Sequence, residues 1–147
     1  MAANDPLITG TDFICIPTQD FERARRFYGE TLGLPELKTW GEMPAVEFET
    51  GNLTIAVMQS DAFGVEFAPH SHPVAFQVDD VPAAKARLET EGVEFVGDII
   101  DSGVCHQQMF RDPDGNMLDL HHRYAQGAPP QEVLDAAKAA ARPDASA

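Results

Sequence analysis

Basic residues are scarce in this chain: ten Lys and Arg stand against 24 Asp and Glu, a formal net charge of −14. A nucleic-acid binder needs a basic footprint, so that class is disfavoured, and anionic membrane surfaces are disfavoured for the same reason. Cysteine is scarcer still. Cys15 and Cys105 are too few for a disulfide framework or a thiolate zinc site, and each lies among apolar strand residues, where a reduced, buried thiol is the ordinary outcome. No stretch approaches the ~20 consecutive apolar residues of a membrane span. The amino end, Met1 to Gly10, lacks both the basic and the apolar parts of a signal peptide, so a cytoplasmic location is expected. A P-loop, a dinucleotide glycine fingerprint, a nucleophile elbow and zinc-type Cys/His spacing are all missing.

What the chain does have is the composition of a folded protein. Its 147 residues are 44% hydrophobic and 23% charged, room for one ordinary domain or for two small repeated units sharing a core. The second arrangement has direct support in the sequence. Residues 14–21, Ile-Cys-Ile-Pro-Thr-Gln-Asp-Phe, match residues 74–81, Val-Ala-Phe-Gln-Val-Asp-Asp-Val, position by position at an offset of 60. In both, apolar residues alternate as in a half-buried strand and then reach an aspartate. After Asp20 the apolar spacing turns helical (Phe21, Ala24, Phe27, Tyr28), as it does after Asp80 (Val81, Ala84, Leu88), so both aspartates read as helix N-caps. Pro82 suits a first helical turn, and Gly33-Leu34 and Gly92-Val93 read as helix stops.

Each helix is followed by a second strand and then a hairpin. The first hairpin runs Ala45 to Glu49, Thr50-Gly51 and Asn52 to Met58; the second runs Val104 to Arg111, Asp112-Pro113-Asp114-Gly115 and Asn116 to His122. Two β-α-β-β-β units result, about 12–59 and 72–124, joined by Ser60 to Ser71. Together they make a domain of 1–124 in the α+β class. Residues 125–147 form an Ala- and Pro-rich extension with one possible helix over Pro130 to Arg142 and frayed last residues.

The tandem unit, with Asp-Phe-Glu-Arg-Ala-Arg-Arg-Phe-Tyr-Gly-Glu-Thr-Leu-Gly-Leu at 20–34 and Phe-Arg-Asp-Pro-Asp-Gly-Asn at 110–116, resembles the vicinal oxygen chelate superfamily of glyoxalases, bleomycin-resistance proteins and extradiol dioxygenases. The resemblance implies an open, curled mixed sheet with a concave ligand face, and homodimers that complete clefts between chains. In catalytic members it also implies a divalent metal held from the first and last strand of each unit. Placed on this chain, the four ligand positions fall on Phe13, Pro73, Ala56 (or Ile55) and Asp119, so Asp119 is the sole family-position donor. His72 is one residue out of step, which turns a strand residue to the other face. One carboxylate cannot hold a metal where three or four ligands are usual, and no cofactor is expected.

Periodicity sorts the strand residues into two faces. Ile14, Ile16, Val46, Phe48, Leu53, Ile55, Val57, Val74, Phe76, Val78, Leu118 and Leu120 should pack on the helices. Their alternates, Phe13, Cys15, Ala45, Glu47, Thr54, Ala56, Met58, Ala75, Gln77, Met117, Asp119 and His121, should line the ligand face. A four-residue Asp112–Gly115 loop pairs Phe110 with Met117, Gln108 with Asp119 and His106 with His121, gathering His106, Gln108, Asp119 and His121 into one polar patch. Imidazoles beside a carboxylate can act as acid and base or as ligands near neutral pH. Trp40 reads either as a ligand lid or as a plain interface residue; His70 and His122 read as structural.

Three functions fit. The first is a metal-free binding protein of the bleomycin-resistance kind, whose cleft takes a small cationic or aromatic molecule; lost ligands, apolar replacements and the acidic charge favour it. Its pocket would draw on Phe13, Cys15, Trp40, Glu47, Ala56, Met58, Gln108 and Met117. The second is a lyase or dioxygenase-like enzyme with a displaced metal or acid/base site at His106, Asp119 and His121. The third is an interaction module without a ligand.

Overall fold

The computed structural model describes residues 5–127 and 130–141. They fall into two compact units, one built on the chain up to Ser71 together with Asp112–Asn116, the other on His72–Arg111 and the chain from Met117 onward.

The first unit runs β1 (Phe13–Thr18), α1 (Phe21–Arg26), a π-helical turn (Phe27–Thr31), β2 (Glu36–Trp40), β3 (Met43–Glu49), β4 (Thr54–Gln59) and a 3-10 turn (Ser60–Phe63). Its sheet has the order β1-β4-β3-β2, with β1 parallel to β4 and the other neighbours antiparallel. Asp20 caps α1 as its position suggests, its carboxylate accepting the Arg23 backbone N–H at 3.1 Å. The widened turn that follows was not visible in the sequence: Leu32 N–H reaches back to Phe27 C=O at 2.9 Å, and the chain leaves through Gly33 at φ 73°. This brings Phe27 and Tyr28 onto the sheet beside Ala24. There they cover Ile16, Val46, Phe48, Ile55 and Val57, all buried on the helix side as alternation requires. Burying each such large side chain contributes about 1.5–3 kcal/mol.

The second unit repeats the plan with β5 (Val74–Gln77), α2 (Val81–Glu89), β6 (Phe95–Asp101), β7 (Cys105–Arg111) and β8 (Met117–Arg123), in the order β5-β8-β7-β6. Asp80 caps α2 by accepting the Ala83 N–H at 2.9 Å, and Val93 N–H closes its end on Leu88 C=O at 3.2 Å past Gly92. Val81 and Leu88 are buried along with Phe110, Leu118 and Leu120. The expected carboxy-terminal helix is α3, Gln131–Ala141; the residues expected to fray lie outside the described ones. Among the described residues no helix is long and apolar enough to cross a membrane.

The first hairpin has the expected register, Ala45 opposite Met58 and Glu47 opposite Ala56. The second does not. Arg111 pairs with Met117, not Asn116, so the loop is the five residues Asp112–Asn116 and every pairing moves by one: His106 faces His122, Gln108 faces Leu120, and Phe110 faces Leu118. The cause is Asn116, which is consumed by the loop. Its N–H and that of Asp114 both bond Asp112 Oδ1 at 2.9 Å. Its amide nitrogen donates to Asp112 Oδ2 and Pro17 O at 2.8 Å each, and its Oδ1 accepts the His70 N–H at 2.8 Å. Trp40, expected in a connection, closes strand β2 instead.

Candidate ligand-binding face

On the first unit's sheet, the side facing away from α1 carries the residues that alternation assigns to a ligand. Register aligns Cys15, Ala56, Glu47 and Lys38 in one row across all four strands. Phe13 and Thr54 lie in the row on one side; Pro17, Met58 and Ala45 lie in the row on the other.

Glu47 dominates this face. It is only 8% exposed, yet it keeps a full set of donors: Trp40 Nε1–H at 2.9 Å to Oε2, Thr54 Oγ1–H at 3.3 Å to Oε1, and the Lys38 ammonium at 3.5 Å from Oε2. The Trp40 hydrogen bond, aided by Lys38 and Thr54, outweighs burial and holds the carboxyl below its ordinary range, so it is an anion at neutral pH. Burial, then the Glu47 charge, pushes the Cys15 thiol up, which keeps it protonated and inert as a nucleophile. Trp40 is also the hub of an aromatic cluster, edge-on to Phe13 at 5.8 Å and to Phe63 at 5.9 Å between ring centres. Phe13 remains 43% exposed. The result is a partly open aromatic surface beside a buried anion.

The same face continues into a cavity of about 320 Å³. Cys15, Pro17 and Met58 form its sheet side, and the segment after β4 forms the rest through Ser60, Val65, Glu66, Ala68 and His70. The segment is held there by Val65 N–H on Ser60 C=O at 3.1 Å and by the His70–Asn116 bond. Sequence reasoning gathered Phe13, Cys15, Glu47, Ala56 and Met58 correctly onto one face, and Trp40 joins them. It missed Lys38, Phe63 and the cavity lining from the segment. Two phenylalanines and a valine in a connection with no other large apolar residue, Phe63, Val65 and Phe67, were the available signal.

On the second unit, Ala75 and Asp119, and Gln77 and His121, pair as neighbours on one face. The shifted hairpin puts Gln107 and Met109 with them, opposite His121 and Asp119, and removes His106 and Gln108 to the other face. The polar patch of four is therefore corrected to Asp119 and His121 with Gln107 and Gln77. Gln108 is fully buried on the helix side, where its Nε2 donates to Val96 O and Gly97 O at 3.2 Å each. His106 joins a surface cluster: its Nε2 lies 3.2 Å from Asp101 Oδ2, Tyr124 O–H donates to Asp101 Oδ1 at 2.6 Å, and the two rings are 4.9 Å apart. Those bonds, Tyr124 foremost, hold Asp101 below its usual range and push Tyr124 up.

Asp119 is 2% exposed, and its Oδ1 has no hydrogen-bond partner. Burial pushes its pKa up to about 6, against a smaller lowering by a bond to the Gln108 backbone. Met117, on the same strand face two residues away, is half-buried.

The four family metal positions do not fit a metal. The side chains of Phe13, Ala56 and Pro73 offer no donor atom, and across the sheet Asp119 is flanked by Ala75 and Met109, whose side chains supply no oxygen or nitrogen. Among the described residues no three His, Cys, Asp or Glu side chains gather closely enough to share an ion.

The fold agrees with comparison to known proteins. Residues 10–120 match the Glyoxalase/Bleomycin resistance protein/Dioxygenase superfamily. The chain belongs to that superfamily. No curated protein matches it. Among solved structures it is similar to a protein described as a glyoxalase family member from Bacillus anthracis, at 27% identity and a TM-score of 0.68, covering 81% of this chain and 98% of that one. It is similar also to TnmS3, an antibiotic binding protein from a Streptomyces species, at 25% identity and a TM-score of 0.68, covering 81% and 99%. The lactoylglutathione lyase of Agrobacterium tumefaciens, at 18% identity and a TM-score of 0.66 over 78% and 94%, shares the fold.

Proposed function

We propose that this protein binds a small cationic or aromatic molecule on the open face of its first unit, without a divalent metal. The observation that carries the reading is the buried Glu47 carboxylate set against the Phe13–Trp40–Phe63 cluster. Aromatic surface supplies apolar contact area and attracts cations, and a buried carboxylate with a weakly held ammonium supplies charge recognition. The adjoining cavity gives room for a ligand's apolar end. The similarity to an antibiotic binding protein supports a binding role. Asp119, by contrast, has no second side-chain ligand across the sheet, so the superfamily's metal chemistry has no ligand set to work with here. Trp40 is the only tryptophan, so its fluorescence reports on this face alone. A screen of small aromatic amines should find compounds that shift Trp40 emission and raise the melting temperature. Untagged protein should carry no stoichiometric zinc, iron, nickel or manganese. A screen with no Trp40 response, or close to one metal per chain, would overturn the reading.

We also propose a homodimer in the cytoplasm, since an open sheet leaves edges that pairing covers; light scattering should return twice 16.0 kDa.

One observation favours a second reading, that of a lyase or dioxygenase-like enzyme using acid/base chemistry. Asp119 is a buried carboxyl with a free oxygen and a pKa of about 6, placed to exchange a proton near neutral pH, with His121 two residues along the same face. Turnover of any substrate found would then fall sharply in Asp119→Asn.

A further inference from the structure

Glu47 has three partners of two kinds. Trp40 and Thr54 are neutral donors from the sheet itself, and they fix the direction of the carboxylate. Lys38 is different. It stands on β2, the edge strand, its side chain is 70% exposed, and its ammonium lies at 3.5 Å, beyond the 2.7–2.9 Å of a close charge-assisted bond. A long, solvated side chain at that distance is held weakly, because the attraction is screened and the chain gives up rotamer freedom to stay. The carboxylate, however, is buried at the edge of the Trp40 indole, where its charge is best balanced by a cation.

We propose that Lys38 is a placeholder. In the free protein its ammonium occupies the position that a ligand's cationic nitrogen takes in the complex, so Glu47 reads charge and Lys38 sets how readily a cation is admitted. The ligand class follows from the surroundings. A cation entering beside Oε2 sits next to the Trp40–Phe13 aromatic pair, which can take a flat ring, so the fitting molecule is a flat aromatic carrying a protonated or quaternary nitrogen. Lys38 swings out to water when it enters. This rests on the first-unit face being the binding face, and it adds which group selects and which group competes.

The test uses the full chain and two probes of nearly equal shape, N-methylquinolinium as the cation and quinoline at pH 8 as the neutral form. Affinity is followed by Trp40 fluorescence and checked by calorimetry. Wild type should bind the cation about tenfold more tightly than the neutral probe. Glu47→Gln, which keeps an acceptor for Trp40, should erase that preference while still binding quinoline. Lys38→Gln, at an exposed edge position, should tighten the cation severalfold at both low and high salt and leave quinoline unchanged. A preference that survives Glu47→Gln, or a cation affinity that falls or stays level in Lys38→Gln, overturns the proposal while leaving the binding face intact. Silence of Trp40 toward both probes overturns the face as well.

Discussion

Asp119 should make the protein less stable as pH rises through the acid range, the reverse of the usual behaviour of a native carboxylate. In the folded chain it is buried with one oxygen unpartnered, and its pKa stands at about 6 against 3.8 for a free aspartate. Below about pH 4 folded and unfolded chains both carry the proton, and the group contributes nothing to the difference between them. Between about 4 and 6 the folded state holds the proton and the unfolded state has lost it, so stability falls as pH rises. Above about 6 both are ionised and the folded state carries the full cost of a buried charge. A rise from 3.8 to about 6, at about 1.4 kcal/mol per pH unit, makes that cost about 3 kcal/mol. Against a total stability of roughly 5–15 kcal/mol this is a large fraction. Asp119→Asn keeps the shape and removes the charge. Urea unfolding of both proteins from pH 4 to pH 8 should show nearly equal stability at the acid end and a variant more stable by up to about 3 kcal/mol at pH 7 and above. Every other carboxylate is common to both proteins, so the difference between the curves isolates Asp119. A gap that is constant with pH, or that widens toward acid, would refute the reasoning.

Three further outcomes follow from the folding devices. The buried Asp114 carboxylate accepts from Thr18 Oγ1 at 2.6 Å, Gln19 N–H at 2.9 Å and Arg23 at 3.2 Å, so Asp114→Ala should lower stability by about 2–3 kcal/mol, read as a lower urea midpoint at constant slope. Tyr28→Phe removes the buried bond to Asp112 Oδ2 at 2.7 Å but leaves that oxygen bonded to Asn116, and should cost only about 1–2 kcal/mol in the same assay. Gly92 stands at φ 77° with nothing within 4 Å of an added Cβ, so Gly92→Ala should cost about 1–2 kcal/mol from backbone strain alone, seen as a drop in melting temperature with an unchanged circular dichroism spectrum.

The repeat, the caps and the first-unit face were legible because each is a local signal. An aspartate before a helical pattern caps a helix whatever the rest of the chain does, and strict alternation in residues 45–49 and 54–58 fixes a face. The second hairpin was illegible for the opposite reason. Residues 105–109, Cys-His-Gln-Gln-Met, have no apolar alternation to orient them, and what orients them is the recruitment of Asn116 into the loop by Asp112, Pro17 and His70, with an irregularity in β6 that receives Gln108. Between Val96 and Ile100 the β6 pairing slips beside Gly97 at φ 68°, and Gln108 turns inward to bond the Val96 and Gly97 carbonyls. A buried glutamine on the helix side is accommodated by that bulge, and no spacing rule within β7 contains it. The reach of the Trp40 N–H to Glu47 likewise depends on shifts in the β2–β3 register that a strand pattern does not encode.

The pentapeptide Asp112–Asn116 belongs to the first unit although residues 72–111 of the second unit separate it from the rest of the first in the chain. On the ribosome, β1 to β4 emerge early, but the acceptors for Thr18, Tyr28 and Arg23 and the amide that bonds Pro17 are not made until residue 116 has been added. By then β5, α2, β6 and β7 already exist. The half that starts first is thus completed only after four elements of the other have been made, and the nascent chain carries its four-stranded sheet without these loop partners while residues 72–111 are added. For the same reason the two similar halves cannot be separated by a single cut. A fragment ending at Ser71 would strand the buried Tyr28 hydroxyl, and supplying residues 112–116 in trans is what would be needed to restore it.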